Sequence, residues 1–246
     1  KEIFNKFDMC FVQNQETQKR LAFLGAKNIK NFGNLKFATS GKIRKEILEK
    51  KTLNYFKRKK VLIIGASTHF NEENFIAQNH LYFKTRKKLK NIISIIVPRH
   101  VERSEQISRD LENLSLKTYL HSSKRKVADN LDIYIVDTYG DLNKFYKISN
   151  LVFMGGSLIK HGGQNPLEPA KLGCKIIHGP NISNFNEIYK KLKNMKISKM
   201  FNNYKSGTEL VKNSINKKQF IFENKKLIKY GEKILNLTYQ EIVKIV

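Results

Sequence analysis

Four short polar runs in this 246-residue chain carry residue types that could hold a ligand. They are Ser67-Thr68-His69, Pro98-Arg99-His100, Asp137-Thr138-Tyr139-Gly140-Asp141, and the stretch GGSLIKHGGQNPLE from Gly155 to Glu168. Arg99 brings a guanidinium, which grips a phosphate or carboxylate through two parallel hydrogen bonds; the plainer reading is a solvated loop arginine. Tyr139-Gly140-Asp141 opens a helix whose first N–H groups suit an anion, and Asp141 serves equally well as a simple cap. Gly155 and Gly156, with Ser157 beside them, let the backbone turn sharply and approach a ligand closely. Gly162-Gly163 repeats the device before the next helix. Asn165 is a natural N-cap with Pro166 at the first helical position. That leaves Leu167 and Glu168 in the first turn, where a carboxylate either favours the helix dipole or accepts both hydroxyls of a ribose. His69, His100 and His161 sit on separate runs with no HxxxH pair and no carboxylate cluster. They read as polar loop histidines, and no metal or other cofactor is called for.

The elements that must position these residues are legible as apolar runs. KVLIIGAS (60–67), NIISIIVP (91–98), LDIYIVD (131–137), NLVFMGG (150–156) and KIIHG are β-branched or apolar and end at Gly, Pro, Ser or Asp. Between them lie helical patterns over about Glu72 to Leu89, over VERSEQISRDLENL and over GDLNKFYKIS, with LKTYLHS as a further strand. Continuous apolar strands alternating with helices predict a parallel sheet covered on both faces: an α/β, doubly wound, Rossmann-like domain. Ligands of such sheets lie beyond the C-terminal ends of the strands, and all four polar runs follow a strand. Upstream, FDMCFVQ (7–13) and NIKNFGNL read as short strands flanking a helix over NQETQKRLAFLGA, capped by Asn14 or Thr17 and ended at Gly25. Residues 41–57 are lysine-rich, with Ile43, Ile47 and Leu48 at helical spacing. The tail from Asn181 reads as mostly helical, ending in a long amphipathic helix.

Composition narrows the classes. Lys and Arg number 47 against 21 Asp and Glu, a formal charge of 47 − 21 = +26. That balance allows a polyanionic partner, but the lysines are spread along the whole length, and no basic arm, ribonucleoprotein motif or zinc-finger spacing accompanies them. A nucleic-acid partner is therefore not expected, whereas an anionic membrane surface suits such a chain. Cys10 and Cys174 lie far apart in apolar runs, as buried thiols of a reducing compartment do. No apolar run approaches the roughly 20 residues that span a bilayer. The chain opens without Met and almost inside a strand, and is read as a fragment. GxGxxG, a P-loop and a GxSxG elbow are missing, which removes support from dinucleotide, NTPase and serine-hydrolase readings.

With these motifs in place a family likeness emerges. FVQNQETQKRLAFLGA, GNLKF (33–37), ASTHFNEE (66–73), IIVPRHVER (95–103), VDTYGDL (136–142) and VFMGGSLIKHGGQNPLEPAKLGCKIIHGPNISNF (152–185) resemble, in this order, the Kdo transferases. Those enzymes move 3-deoxy-D-manno-octulosonic acid (Kdo) from CMP-Kdo onto lipid A precursors. The resemblance implies a GT-B architecture of two Rossmann-like domains. Residues 1–57 would close the N-terminal, acceptor-side domain, and 58–246 would be the C-terminal, CMP-Kdo-binding domain. It implies CMP contacts from Pro98, Arg99 (on the phosphate), Tyr139, Gly140, Asp141, Asn165, Pro166, Leu167 and Glu168 (on the ribose). Ser67, His69, Gly155, Gly156 and Ser157 would support the donor site. Lys36 would stabilise charge on the departing phosphate. The membrane anchor, acceptor-binding half and glutamate base of the family would lie upstream, and the location would be the cytoplasmic face of the inner membrane. Phe70 and Asn71 stand where the family commonly has Glu and Gly, and Ala38 stands where it commonly has Asp. The competing readings are another GT-B enzyme using a UDP-sugar, and a non-enzymatic basic module binding nucleic acid or membrane.

Overall fold

The computed structural model describes residues 3–38, 47–123, 125–215 and 221–244. Its core is a seven-stranded, wholly parallel sheet. The smaller sheet near the N-terminus pairs β1 (Cys10–Val12) with β2 (Ile29–Asn31), also in parallel. Between these two runs α1 (Gln15–Phe23), with Asn14 Oδ1 accepting from Thr17 N at 2.7 Å, ends at Gly25 with φ +95°. The order of elements then becomes α2 (Lys50–Lys57), β3 (Lys60–Thr68), α3 (Glu72–Leu81), β4 (Ile92–Pro98), α4 (Ser104–Asn113), β5 (Thr118–Leu120) and β6 (Ile133–Ile135). It continues with α5 (Leu142–Tyr146), β7 (Leu151–Met154), α6 (Leu167–Lys171), β8 (Lys175–His178), α7 (Asn186–Asn194), β9 (Ser198–Met200), α8 (Tyr204–Ser214) and α9 (Ile221–Val243).

In the large sheet the strands run β5-β6-β4-β3-β7-β8-β9. β3 lies between β4 and β7, so connections leaving its neighbourhood diverge to opposite sides. That divergence is a topological switch, and it opens a crevice beyond the C-terminal ends of β3 and β7. The sheet is apolar on both faces because helices cover both: Ile63, Ile64, Ile93, Ile95, Ile96, Val152 and Phe153 are all fully buried. At the opposite end of the strands a buried polar knot fixes α3 to the sheet. Asp132 accepts from His80 Nε2 (3.1 Å), Lys84 Nζ (2.7 Å) and Lys117 N (3.0 Å), while His80 Nδ1 meets Ser94 Oγ at 3.1 Å.

The doubly wound sheet is as the apolar runs predict, with two local differences. The helix after β3 ends at Leu81 and passes into a π-helical turn, Tyr82–Arg86. The tail holds one strand that its sequence does not announce, β9, which pairs with β8.

Two compact units form, and their limits fall elsewhere than residue 57/58. One unit comprises Lys1–Arg44 with Lys225–Val246, and the other Lys45–Asn224. In the larger unit, α2 buries Tyr55 and Phe56, the latter edge-on to Tyr134 (5.1 Å) and Phe145 (5.9 Å). In the smaller unit, α9 returns to the N-terminal segment: Tyr230 meets Phe37 edge-on at 5.1 Å. Ile43, expected on a helix, lies outside the described residues. No described helix is long and apolar enough to cross a membrane.

Candidate functional site at the switch-point crevice

The crevice is formed by two strand ends that almost touch. Gly155 N donates to Ala66 O at 2.9 Å. A Cβ on Gly155 would stand 2.1 Å from Ser67 O, so only glycine fits there. Ser67 itself has a left-handed φ of 52°, at a register shift between Ala66 and Thr68. Gly156 then turns at φ +66° beside the His161 ring. Sequence reasoning assigned these glycines to close approach of a ligand; Gly155 is packed against the end of β3, while Gly156 faces the His161 and His69 rings.

A second feature explains where the loop amides point. Glu72, 1% exposed, accepts four backbone N–H groups. Oε2 takes His69 N (2.9 Å) and Gly156 N (2.7 Å), and Oε1 takes Ser157 N (3.0 Å) and Leu158 N (2.9 Å). Burial pushes the carboxyl upward, while the four donors favour the ionised form. With two donors on each oxygen, a proton could enter only by displacing one of them. Ser157 is likewise turned inward: its hydroxyl donates to Met154 O (2.6 Å) and accepts from Gly179 N (2.9 Å), and the residue is fully buried.

The next residue, Glu73, holds the neighbouring loop. It accepts from Thr68 Oγ1 (2.9 Å) and receives both nitrogens of Arg103 (3.1 and 3.2 Å). Arg103 in turn sits 5.9 Å from the ring of exposed Phe70. Asn71 adopts φ +69°. Asn is among the few non-glycine residues that enter this region readily, so it keeps the backbone that a glycine would supply.

Arg99 follows the last strand residue, Pro98. Its backbone N–H bonds to Thr68 O at 2.9 Å, continuing the β3–β4 ladder, and its side chain is exposed with no ion-pair partner among the described residues. The three histidines that the sequence scatters over separate loops converge here. The His69 ring lies 4.1 Å from His161 and 5.9 Å from His100, centroid to centroid, and its Nε2 is 3.2 Å from Gln164 Nε2. Burial, then the neighbouring His161, His100, Arg103 and Arg99, pushes the His69 pKa down to about 4. The cluster is thus a neutral ring inside a cationic rim, suited to an anion. No described His, Cys, Asp or Glu residues form a metal-holding group of three or more.

The DTYGD turn is reached across the rim: Tyr139, 69% exposed, donates its hydroxyl to Glu102 at 3.2 Å. Gly140 has φ +87° with open space where a Cβ would be. Asp141 precedes α5 without capping it; its carboxylate accepts from Thr138 Oγ1 and Lys144 Nζ and lies 3.8 Å from His121 Nε2. Burial acts against this carboxylate, but Lys144 and Thr138 outweigh it and hold the pKa below the ordinary value.

The loop returns through Gly163, whose N–H bonds to Gly156 O (2.8 Å), and reaches α6. Asn165 Oδ1 accepts from Leu167 N at 3.1 Å, and Pro166 is the cap residue, so the helix starts one residue later than the sequence pattern places it. Pro166 and Leu167 are buried, while Glu168 is exposed at the surface of the first turn. Glu168 lies close enough to the buried Tyr146 phenol to add to the upward push that burial gives it. Lys36 belongs to the smaller unit, in a 3-10 turn (Leu35–Phe37) where Asn34 Oδ1 accepts its N–H at 2.9 Å.

Sequence reasoning thus reached the rim residues but missed Glu72, Glu73 and Arg103. The two acids read as ordinary first-turn charges of α3; their partners are distant in sequence.

No family model matches the chain. A curated 3-deoxy-D-manno-octulosonic acid transferase from Haemophilus influenzae is 31% identical over 194 residues, 77% of this chain and 44% of that protein. The chain spans about half the length of the curated relatives it matches. Among solved structures, the C-terminal CMP-Kdo binding domain of WaaA from Acinetobacter baumannii aligns with a TM-score of 0.63 at 25% identity, over 75% of this chain and 93% of that domain. A trehalose 6-phosphate synthase from Burkholderia multivorans aligns over 99% of this chain and 60% of its own length, with a TM-score of 0.55 at 8% identity, and shares the GT-B fold alone. In sequence and in fold, this chain belongs to the 3-deoxy-D-manno-octulosonic acid transferase family, as a C-terminal part of such a protein.

Proposed function

We propose that this chain is the donor-binding part of a glycosyltransferase that moves Kdo from CMP-Kdo onto a lipid A precursor, lipid IVA, in lipopolysaccharide assembly. The observation that carries the reading is the likeness over 93% of the CMP-Kdo binding domain of WaaA. The rim chemistry supports it: an exposed Arg99 guanidinium, without an ion-pair partner among the described residues, for the phosphate, and an exposed Glu168 carboxylate for the two ribose hydroxyls. Tyr139 is exposed and the left-handed Gly140 has open space beside it, so a flat base could approach the backbone there.

The transfer is written as an inverting displacement. An acceptor hydroxyl loses its proton to a general base, its oxygen attacks the anomeric carbon of Kdo, and CMP leaves. We assign the base to the length of the relatives that this chain does not span. CMP departs as an anion, so a fixed cation lowers the barrier; Arg99 is the proposed one in the larger unit, and this chemistry needs no metal or cofactor. A cytoplasmic, membrane-surface location at the inner membrane is part of the proposal, in keeping with the charge of +26.

Calorimetry with CMP tests the assignment. A carboxylate hydrogen-bonded to a ligand is worth about 1.5–3 kcal/mol, so Glu168→Ala should weaken CMP binding roughly 10- to 150-fold. Unchanged affinity removes Glu168 from the site. A thermal-shift comparison of CMP, CDP, UMP and UDP separates this reading from a UDP-sugar enzyme: only the former expects CMP to stabilise most.

A further inference from the structure

We propose that Glu72 is the positioning residue of the donor crevice. It is an internal anion that fills the amide nest at the end of β7 and so fixes both walls of the switch point. The proposal rests on the donor-site reading only for its effect on CMP; its structural half stands alone. Three successive N–H groups, Gly156 to Leu158, converge as a loop that cradles a phosphate would. Here they converge on the protein's own carboxylate, at 2.7, 3.0 and 2.9 Å. The same carboxylate holds His69 N at 2.9 Å, tying the end of β3 to the loop after β7. A backbone N–H makes one strong bond, so these amides are not offered to a ligand. The phosphate of a donor therefore falls to the outward side chains of the rim, Arg99 foremost. The loop thus shapes the site without touching the phosphate.

Three consequences are measurable. In Glu72→Gln the side chain presents its carboxamide NH2, a donor, to two backbone amides that need an acceptor. Exchange of the Gly156, Ser157 and Leu158 amide hydrogens should accelerate at least tenfold, while amides of the interior strand β4, such as Ile95 and Ile96, stay protected. CMP affinity should fall at least tenfold. In Glu72→Ala, formate or acetate should restore loop protection and CMP affinity together, and should change neither in the wild type, because a small carboxylate fits only an emptied nest. Should Glu72→Ala not fold, Glu72→Asp keeps the charge one methylene short and should show the accelerated loop exchange in a folded protein. Unchanged exchange at 156–158 in Glu72→Gln overturns the clamp. Faster exchange with unchanged CMP affinity overturns its role in positioning. A wild type that fails to bind CMP overturns the donor reading instead, and the exchange experiment still decides the clamp.

Discussion

Replacing Gly155 by alanine tests whether the crevice owes its shape to backbone contact between β3 and β7. The new Cβ would lie 2.1 Å from Ser67 O, 2.6 Å from Ser67 C and 2.7 Å from Thr68 Cα. Every one of these neighbours is backbone, so no side chain can swing aside. Cβ atoms essentially never come within 3.0 Å of other atoms, so the strand ends must part by roughly 0.9 Å. Overpacking in a dense interior costs about 1–3 kcal/mol, and a rigid backbone obstacle places this case at the upper end. Parting the strands also lengthens the 2.9 Å bond from Gly155 N to Ala66 O, a loss of about 1 kcal/mol. The sum is about 3–4 kcal/mol, or a drop in Tm of about 6–16 °C for a unit of this size. Gly140→Ala is the control. Its φ is +87° and nothing lies within 4 Å of the new methyl, so it pays only the left-handed strain of about 1–2 kcal/mol. Urea and thermal unfolding of the two variants give the comparison, and CMP calorimetry should show weaker binding to Gly155→Ala. If Gly155→Ala melts within 2 °C of the wild type (under about 1 kcal/mol), or if Gly140→Ala is the more damaging, the close-contact argument is wrong.

Asn71, with φ +69°, should accept glycine within about 0.5 kcal/mol, whereas Asn71→Val, β-branched in a left-handed conformation, should lose about 1–2 kcal/mol in urea unfolding. Asp132 is buried, which disfavours its charge, but His80, the Lys117 amide and Lys84 together hold its carboxyl well below the ordinary value. A depressed carboxyl gives stability that is present above the unfolded value near pH 4 and is lost as pH falls through the folded one. Asp132→Asn should therefore be less stable at neutral pH by about 1.5–3 kcal/mol and show a shallower acid limb below about pH 4. His69 titrates oppositely to a salt-bridged histidine: its folded pKa is pushed down to about 4 from 6.5. The unfolded chain binds the extra proton between those values, so the stability contributed by His69 is complete above pH 6.5 and fades as pH falls toward 4. His69→Asn should flatten the stability slope in that window by an amount on the order of 1–2 kcal/mol, and an unchanged slope would mean the ring is not buried as a neutral group.

What the sequence disclosed and what it hid follow from where the information resides. A strand such as Ile92–Pro98, buried along its whole length, needs an unbroken apolar run, and a proline or glycine must end it; both marks are local and can be read one residue at a time. β9 carries no such mark. Its residues Ser198, Lys199 and Met200 form an edge with only the serine buried, so the ladder to β8 leaves no pattern behind. The division into units was hidden for a related reason. The docking of α9 on the N-terminal segment, at contacts such as Tyr230 with Phe37, joins residues nearly 200 positions apart. Glu72 is the sharpest case. Its donors are backbone amides 3, 84, 85 and 86 residues away, and a backbone amide has no residue type by which to announce itself. A first-turn glutamate is ordinary on its own; it becomes an internal anion only when β7 delivers a loop of glycine and serine amides to its side. The same loop shows what glycine density can and cannot say. Their density does signal close approach, but composition cannot tell a ligand from the neighbouring strand, and here the neighbour is Ser67 at the end of β3.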